Sequence, residues 1–439
     1  MRVLGISAYF HDAAAALVVN GEIAAAAAEE RLTRRKHDPA FPTEAIKFCL
    51  KENGCRIEDV DYVVFYEKPL KKFERLLVSH LRTFPKGMSQ FTRSMATWLG
   101  ARLWLKKEIC QALPCSPDKL LFSEHHLSHA ASAFFCSPYE NATVLTLDGV
   151  GEWATTSVFT GRTRGGKSSL TLHRELCFPH SIGLLYSALT AYLGFEVNEG
   201  EYKVMGLSAY GTPRYLKEFQ RLAQVGRDGS LTLNKKYFSF DYHAECSFTR
   251  ALEELLGPAR KPSSQLNLEP GDGAMQRYAD VACSLQRFTE EYLLTLCDSV
   301  QAETHDQNLC LAGGVALNSV ANHRLAQEGP FESLFVQPAA SDAGGALGAA
   351  LYVAHTLCGE PRAKPFSSVA LGQSDAGADV AELLCECGAK AQHFPNSQAL
   401  HRELAVRLAQ GQVGAYFRGR FEWGPRSLGQ RSIIADPRA

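Results

Sequence analysis

Short apolar runs separated by turn signals open the chain. They predict three strands, at Val3–Ile6, Ala13–Val19 and Glu22–Ala28. Asn20 and Gly21 lie between the second and third runs. Because both central residues of a type I′ turn need positive φ, this pair predicts a tight hairpin.

Extended and helical patterns alternate along the rest of the chain. Further strands are predicted at Val60–Tyr66, Lys119–Phe122, Ala142–Leu147, Thr155–Thr160, Asn308–Leu311, Leu334–Val336 and Gln412–Phe417. Helices are predicted from Thr43 to about Asn53, over Gln276–Gln301 and over Ser397–Ala409. Strands that alternate with helices are typical of an α/β fold.

Three stretches interrupt this alternation. Lys68–Ala112 is rich in Lys, Arg and aromatic residues and is predicted to be a helical insertion, whereas Pro213–Pro270 is predicted to be irregular. Gly359–Pro365 is typical of a linker, so we expect one domain at residues 1–358 and a second unit at 366–439. The basic insertion would either contact substrate or nucleic acid, or form a solvated helical hairpin with an aromatic core face.

Composition narrows the class of protein. The chain has 439 residues, of which 46% are hydrophobic, and 46 Lys and Arg balance 47 Asp and Glu. This balance predicts no nucleic-acid partner and no anionic membrane partner, and no apolar run is long enough to cross a bilayer. Thirteen cysteines without CxxC pairs fit reduced thiols, so we expect a soluble, cytoplasmic protein. The sequence carries no signal for an oligomeric state.

Three histidines lie within five positions, in a stretch of small and apolar residues. On a helix His125 and His129 project from the same face, so both imidazoles can bind one divalent cation. Asp148, which ends an apolar strand, and Asp342, which opens a small-residue helix, are candidate carboxylate ligands. The alternative is a structural histidine cluster on a close-packed helix that Ser123 caps.

Glycine-rich turns follow several of the predicted strands. Gly313 and Gly314 lie between a strand and a helix, with Asn318 near the start of that helix, and this layout directs free N–H groups toward a nucleotide. Lys203 lies beside glycines and acids, which suits a phosphate contact or a surface ion pair.

Arginine and glycine are dense near the end of the sequence. Arg420, Arg426 and Arg431 lie in one glycine-containing segment, and guanidinium binds phosphate in bidentate fashion. The segment therefore predicts an oxyanion or triphosphate site, and the alternative is a solvated basic loop.

The polar loop after the first strand contains His11 and Asp12. His11 is a candidate base or substrate ligand. Equally, it is a turn residue beside an aspartate that hydrogen-bonds the backbone.

Taken in order, these motifs resemble the O-carbamoyltransferases of nodulation-factor and antibiotic biosynthesis. The motifs are the His11-Asp12 loop, Glu30-Arg31, His125 to Ala130, Leu147-Asp148-Gly149, Lys203 to Leu207, Gly313 to Asn318, Pro338 to Gly348 and Gly424-Pro425-Arg426. The resemblance covers essentially the whole chain. It implies an actin-like, duplicated ribonuclease H-like domain followed by part of a threonylcarbamoyl-adenylate synthase-like α/β domain.

The resemblance also implies a reaction and roles for residues. The reaction moves a carbamoyl group from carbamoyl phosphate, through an ATP-derived carbamoyl-adenylate, to a hydroxyl of a small-molecule alcohol. His125, His129, Asp148 and Asp342 would hold the divalent metal, with iron favoured and zinc as the alternative. His11 would take the acceptor proton. The remaining implied contacts are Gly313, Gly314, Asn318 and Lys203 to the nucleotide, and Arg420, Arg426 and Arg431 to carbamoyl phosphate.

One departure from the family pattern and two alternative functions accompany this prediction. The family continues well beyond its Gly-Pro-Arg motif, whereas this sequence ends at Ala439. We therefore expect the chain alone to make carbamoyl-adenylate poorly or not at all. The alternatives are an actin-like kinase or ATPase, which would use magnesium and a catalytic aspartate, and a catalytically incomplete nucleotide-binding protein.

Overall fold

The computed structural model of the chain describes residues 1–100, 102–243, 246–262, 264, 273–362, 366–374 and 380–438. The strands are β1 (Arg2–Ser7), β2 (Ala14–Val19), β3 (Glu22–Ala28), β4 (Tyr62–Phe65), β5 (Leu120–Phe122), β6 (Asn141–Leu147), β7 (Ala154–Arg164), β8 (Lys167–Cys177), β9 (Ala223–Val225), β10 (Leu231–Leu233), β11 (Asn308–Ala312), β12 (Ser333–Val336), β13 (Gly414–Phe417) and β14 (Arg431–Ile434). The helices are α1 (Glu29–Thr33), α2 (Thr43–Glu52), α3 (Pro69–Thr83), α4 (Met88–Gly100), α5 (Leu105–Ala112), α6 (His125–Cys136), α7 (Ile182–Tyr192), α8 (Glu201–Ser208), α9 (Leu216–Leu222), α10 (Arg250–Leu256), α11 (Gly273–Thr304), α12 (Ser319–Glu328), α13 (Asp342–Tyr352), α14 (Val380–Glu386) and α15 (Ser397–Ala409). The predicted α/β class is confirmed.

Two five-stranded sheets share one strand order and one set of strand directions. The first has the order β3-β2-β1-β4-β5 and the second has the order β8-β7-β6-β11-β12. In the first sheet β3, β2 and β1 are antiparallel neighbours, and β4 and β5 run parallel to β1. In the second sheet β8, β7 and β6 are antiparallel neighbours, and β11 and β12 run parallel to β6. A sheet of this topology, present twice in one chain, is the duplicated ribonuclease H-like architecture of the actin-like fold, as predicted.

One helix follows the last strand of each sheet, and these two helices pack against each other. α6 follows β5 and contacts β6 and β11, whereas α13 follows β12 and contacts β1 and β2. A Cβ atom on Gly348 of α13 would lie 1.8 Å from the carbonyl oxygen of Ser128 on α6. Because packed interiors have no spare volume, a larger residue at position 348 would push the two helices apart.

The opening hairpin forms as its sequence predicts. Asn20 and Gly21 have φ values of +50° and +79°, which the type I′ turn requires. Glu29, the first residue of α1 and directly after β3, is buried, and its carboxylate accepts the N–H groups of Glu44 (3.0 Å) and Ala45 (2.7 Å). This carboxylate therefore satisfies two free N–H groups at the start of α2 and ties that helix to the first sheet.

The prediction of an irregular segment at Pro213–Pro270 was wrong for much of that range. α9, β9, β10 and α10 lie within it, and Phe219, Leu231 and Leu252 are buried in the second hydrophobic core. These elements are only three to seven residues long, too short for a periodic pattern to emerge from the sequence. Residues 244–245, 263 and 265–270 of this range, like residues 363–365 of the predicted linker, lie outside the described residues.

The described part of the C-terminal region, residues 366–374 and 380–438, contacts the actin-like core through Phe366, whose N–H donates to the carbonyl oxygen of Cys136 at 3.3 Å, and through the loop around Gly424. In that loop Trp423 is 1% exposed, and its backbone N–H donates to the carbonyl oxygen of Val369, in the same region, at 2.7 Å. Arg31 donates to the carbonyl oxygen of Gly424 at 3.1 Å. Gly424 has a φ of +120°, and a Cβ atom there would lie 2.6 Å from the carbonyl oxygen of Pro338. The loop therefore fits closely against the core.

Candidate active site

Equivalent positions of the two sheets bring candidate site residues together. His11 follows β1 and Asp148 follows β6, and these are the first strands of the two repeats. His125 and His129 lie in the first turns of α6, and Asp342 is the first residue of α13. The internal duplication therefore gathers residues that are more than 300 positions apart in sequence into one place.

The side chains of the predicted metal set converge. Nε2 of His125 and Nε2 of His129 lie 2.9 Å and 3.1 Å from Oδ2 of Asp148, and 3.2 Å from each other. Oδ1 of Asp342 is 3.7 Å from the first nitrogen and 3.6 Å from the second. Ligands that surround one ion at about 2.1 Å lie roughly 3.0 to 3.4 Å apart. The His125, His129 and Asp148 atoms are close to this spacing and Oδ1 of Asp342 lies slightly beyond it, so the four side chains form a group that could hold one divalent cation.

Hydrogen bonds and charges within this buried cluster shift the pKa values of its members. Burial lowers the pKa of His129, but hydrogen bonds to Asp148 and Asp342 outweigh burial and raise it to about 9. Burial raises the pKa of Asp148, but its hydrogen bonds to His125 and His129 hold the pKa well below its usual range. The pKa of Asp342 is also lowered, because the charge of His125 and the hydrogen bond from His129 outweigh burial. The cluster therefore holds two carboxylates in their ionised form, as cation ligands must be.

Several residues outside the predicted set hold these ligands in place. The hydroxyl of Tyr66 donates to Oδ2 of Asp342 at 3.2 Å, and the N–H of Gly149 donates to Oδ1 of Asp148 at 2.8 Å. The carboxylate of Glu152 accepts the N–H of His125 at 3.1 Å from both oxygens. The expected cap of this helix was wrong: Glu124 is the N-cap residue, Ser123 makes no capping bond, and Glu152 binds the helix end.

His126, the third histidine of the cluster, faces away from the other two. Its Nδ1 lies 2.7 Å from the hydroxyl oxygen of Thr146. Burial and the charge of the neighbouring His125 lower the pKa of His126 to about 3. A neutral ring that contacts a threonine in the core fits a structural role.

His11 and Asp12 form a contact at the edge of this cluster. Nδ1 of His11 lies 3.1 Å from Oδ2 of Asp12. Burial lowers the pKa of His11, but the Asp12 hydrogen bond and the charges of Asp342, Asp12 and Asp148 raise it to about 9. The described contacts of the Asp12 carboxylate are to His11 and His37 rather than to a backbone N–H, and the backbone carbonyl of Asp12 accepts the hydroxyl of Ser7 at 3.2 Å. The role of His11 as base or substrate ligand stays a prediction.

A cavity of about 780 Å³ opens over the cluster. Its lining includes the predicted residues His11, His125, Asp148, Gly314, Asn318, Asp342 and Arg426. Lys36, Tyr202 and Phe240 also line it, so cationic and aromatic surfaces face the same space. The cavity is large enough for a small-molecule ligand.

The predicted nucleotide contacts divide into two groups. Gly314 lines the cavity, and its N–H lies 3.4 Å from Oδ1 of Asp148. Asn318 also lines it, but its side chain caps α12 by accepting the N–H of Ala321 at 3.0 Å. Gly313 donates its N–H to the carbonyl oxygen of Ala340 at 2.8 Å, and neither Gly313 nor Lys203 is among the described lining residues.

The three predicted phosphate-binding arginines do not converge. Arg426 lines the cavity, donates to the carbonyl oxygen of Leu317 at 3.2 Å and lies 5.7 Å from the ring centre of Tyr202. Arg420 pairs with Glu52. Arg431 donates to the carbonyl oxygens of Arg418 (2.7 Å) and Gly419 (3.0 Å) and stacks on Phe417.

Two sequence families match this chain. The family described as "Carbamoyltransferase N-terminus" matches residues 2–351, which is most of the chain. This chain belongs to the carbamoyltransferase family. The family described as "Carbamoyltransferase C-terminus" matches residues 405–439. The carbamoyltransferase prediction made from the ordered motifs is confirmed at the level of the family.

Named relatives support this carbamoyltransferase assignment. The chain is 33% identical to nodulation protein NolNO of Sinorhizobium fredii over 98% of this chain and 59% of that protein. It is 46% identical to an uncharacterized protein of Synechocystis sp. over 100% of this chain and 71% of that protein. It is 30% identical to the 3'-hydroxymethylcephem-O-carbamoyltransferase of Amycolatopsis lactamdurans over 44% of this chain and 36% of that enzyme.

The chain thus spans between about half and three quarters of the length of the relatives that it matches over most of its own length. Solved structures resemble this carbamoyltransferase distantly. One is (R)-2-hydroxyglutaryl-CoA dehydratase component A of Acidaminococcus fermentans, with a TM-score of 0.41 and 16% identity over 80% of this chain and 97% of that one. Another is HypF of T. kodakarensis, with a TM-score of 0.39 and 15% identity over 83% of this chain and 49% of that one. Among the described residues, no helix is both long enough and apolar enough to span a bilayer.

Proposed function

We propose that this chain performs the acceptor step of an ATP-dependent O-carbamoyl transfer. In this reaction the carbamoyl group of carbamoyl phosphate passes through carbamoyl-adenylate to a hydroxyl of a small-molecule alcohol. The observation that carries the proposal is the convergence of His125, His129, Asp148 and Asp342 beside His11, at the wall of one cavity. Membership of the carbamoyltransferase family and the name of the cephem-modifying relative support it.

The four converging residues are proposed to hold a divalent cation. Two imidazole nitrogens and two carboxylate oxygens suit iron or zinc, and the mixed donor set of two histidines with carboxylates favours iron. When bound, the ion would act as a Lewis acid that polarises the carbamoyl oxygen or the nucleotide phosphate. Magnesium prefers oxygen ligands and keeps several waters, so two buried imidazoles argue against the kinase alternative.

His11 is proposed to take the proton of the acceptor hydroxyl. Its ring lies at the cavity wall, next to the cluster, with Nδ1 against Asp12. Loss of the proton makes the acceptor oxygen a better nucleophile toward the carbamoyl carbon. As that carbon–oxygen bond forms, the bond from the carbamoyl carbon to the adenylate oxygen breaks, and AMP leaves with the bonding electrons.

The adenylate is proposed to bind where cationic groups face the cavity. Lys36 and Arg426 both line it, and ammonium and guanidinium groups suit phosphate. Gly314 and Asn318 lie on the same lining and remain the predicted nucleotide contacts. Four further ligand contacts stay predictions from the family resemblance, namely those of Gly313, Lys203, Arg420 and Arg431.

The test is carbamoyl transfer detected by mass spectrometry. The chain, loaded with Fe²⁺, is incubated with ATP, carbamoyl phosphate and a panel of sugar, macrolide and β-lactam alcohols. A second series adds the C-terminal part of a longer relative in trans. We expect an alcohol to gain the mass of a carbamoyl group. His129→Ala should abolish the product, whereas His126→Gln, on the same helix but bound to Thr146, should retain it. Absence of carbamoylated product in both series, with Fe²⁺ bound, would contradict the proposal.

A further inference from the structure

The carboxylate of Asp12 contacts two histidines, one through each oxygen. Nδ1 of His11 lies 3.1 Å from Oδ2, and Nδ1 of His37 lies 3.0 Å from Oδ1. The three residues come from two loops, one after β1 and one after α1, and all three line the cavity. The carboxylate therefore joins the candidate base to a second loop.

Backbone contacts hold this arrangement in an unusual conformation. Tyr9, Asp12 and His37 have φ values of +74°, +55° and +53°, in the left-handed region that few residues other than glycine adopt. The N–H of Tyr9 donates to the carbonyl oxygen of Pro39 at 2.8 Å. The N–H of His37 donates to Oε2 of Glu30 at 2.9 Å. Such strained backbone persists only where surrounding contacts fix it, and it is often found at functional sites.

We propose that Asp12 and His37 are positioning residues that fix the imidazole of His11, with Nδ1–H toward Asp12 and the lone pair of Nε2 toward the acceptor. The assignment of the acceptor rests on the proposed function. The orientation itself rests on the two distances to Asp12. The contact of His11 with Asp12 is an ion-pair contact rather than an aligned hydrogen bond, and Nδ1 of His11 is buried with no hydrogen-bond partner among the described residues. The nearby carboxylate still favours hydrogen on Nδ1, so Nε2 is the nitrogen that accepts a proton.

His37 makes this orientation specific. A carboxylate with one histidine partner can rotate about its χ2 bond, because this torsion has a broad energy profile. A second imidazole on the opposite oxygen fixes the carboxylate plane, and with it the plane of the His11 ring. In the transfer step the acceptor proton moves to Nε2 of His11, and the ionised carboxylate of Asp12 stabilises the imidazolium that forms.

The first test reads the tautomer of His11 directly. Imidazole ¹⁵N NMR is recorded on the full chain loaded with diamagnetic Zn²⁺, at a pH where the His11 ring is neutral, with His11→Gln to assign its signals. We expect hydrogen on Nδ1 of the wild-type ring, and a mixed or reversed tautomer in Asp12→Asn. Hydrogen on Nε2 in the wild-type chain would overturn the proposal without any variant.

The second test is kinetic and uses a matched carboxylate. Asp38 lies in the same loop as His37, and it accepts the hydroxyl of Thr33 at 3.0 Å and the N–H of Ala40 at 3.0 Å. We expect Asp12→Asn to lower kcat for carbamoyl transfer by about 10² to 10⁴ with little change in KM, as loss of a tautomer-fixing aspartate does in serine proteases. His37→Gln should lower kcat by roughly tenfold, because His37 only helps to fix the orientation of the reacting group, and this is a small part of the effect expected for Asp12→Asn. Asp12→Glu should recover part of the rate, and Asp38→Asn should leave the pH profile unchanged.

The two tests separate this proposal from the proposed function. One outcome is that His11 carries hydrogen on Nδ1, that Asp12→Asn removes this preference, and that no alcohol is carbamoylated. This outcome supports the positioning role and contradicts the proposed function. A chain that transfers the group equally well with Asp12→Asn, at an unchanged pH profile, supports the function and overturns the positioning role. Unfolding midpoints of all variants establish that they are folded.

Discussion

The actin-like core and the C-terminal region hold their candidate site residues in different ways. In the core, His125, His129 and Asp342 are each at most 3% exposed and converge with Asp148 on one point. In the described C-terminal region, Arg420 and Arg431 bind groups of the protein itself, and only Arg426 of the three predicted arginines lines the cavity.

Packing explains this difference. The core places its ligands on α6 and α13, which pack closely where Gly348 meets Ser128. Among the described residues after position 366, only Trp423 is buried in a hydrophobic core, no residue of the fully described α15 is buried, and Ile433 is 82% exposed. Several residues of one type close together in a sequence therefore indicate a site only where the helices or strands that hold them are packed in fixed positions.

The largest expected effect is on cation binding in the core. His129→Ala or Asp342→Asn should weaken Fe²⁺ or Zn²⁺ binding by at least about 100-fold, since each removes or neutralises one of the four proposed ligands. Arg431→Ala in the C-terminal region should leave the affinity unchanged. Isothermal titration of the metal-free chain measures both. Equal affinities in all three variants would remove the distinction between the two regions.

The next effect is at the loop that joins the two regions. Gly424→Ala places a Cβ atom 2.6 Å from the carbonyl oxygen of Pro338, at a φ of +120°. We expect it to destabilise the docked loop by about 2 kcal/mol or more, and to speed proteolytic cleavage of the C-terminal region. Gly429→Ala is the matched control, because Gly429 has a φ of +94° but no atom within 4 Å of its Cβ position. Identical cleavage rates in the two variants would show that the loop does not dock as described.

A smaller effect concerns pH and belongs to the core. The folded-state pKa values of His11 and His129 are raised from 6.5 to about 9. Their contribution to stability is therefore present below pH 6.5 and is lost as the pH rises from 6.5 to 9. We expect the metal-free chain to lose about 2 kcal/mol per histidine across this interval, measured by urea unfolding.

Two controls accompany the pH prediction. In His11→Gln the loss should be roughly halved. In the Zn²⁺-loaded chain the loss of stability with rising pH should reverse, because the ion competes with protons for the His129 ring. A metal-free chain whose stability does not change between pH 6.5 and 9 would contradict the assigned pKa shifts.

The smallest effect is expected at the surface of the C-terminal region. Arg420 pairs with Glu52 across the junction, and both side chains are about one third exposed. Arg420→Ala should change the free energy of unfolding by less than about 1 kcal/mol, because solvent screens such pairs. A loss of several kcal/mol on urea unfolding would show that this ion pair, and not the Gly424 loop, joins the two regions.

Local patterns predicted the parts of the fold that local interactions control. The Asn20-Gly21 hairpin and the Ser397–Ala409 helix form as predicted, because turn and helix signals act over a few residues. The pairing of His125 with His129 follows from helical spacing. Asp342 was a candidate ligand because it opens a small-residue helix, but no local signal brings together residues more than 200 positions apart, so its place beside the histidines was supported chiefly by the family resemblance.

The partners of the site were beyond sequence reasoning. Glu152 binds the start of α6 from a loop, and Tyr66 reaches Asp342 from the end of β4. Each lies just after a strand, Tyr66 after β4 of the first sheet and Glu152 after β6 of the second, which is a weak signal that many residues share. The arginine segment shows a different limit, since composition predicts chemistry but does not show which carbonyl and carboxylate groups of the protein contact each guanidinium.

The most direct measurement is anomalous diffraction from crystals of the chain grown with Fe²⁺. The account predicts one strong anomalous peak, at about 2.1 Å from Nε2 of both His125 and His129, with carboxylate oxygens of Asp148 and Asp342 completing the site. A peak elsewhere, or none at full iron concentration with the four side chains in place, would contradict it.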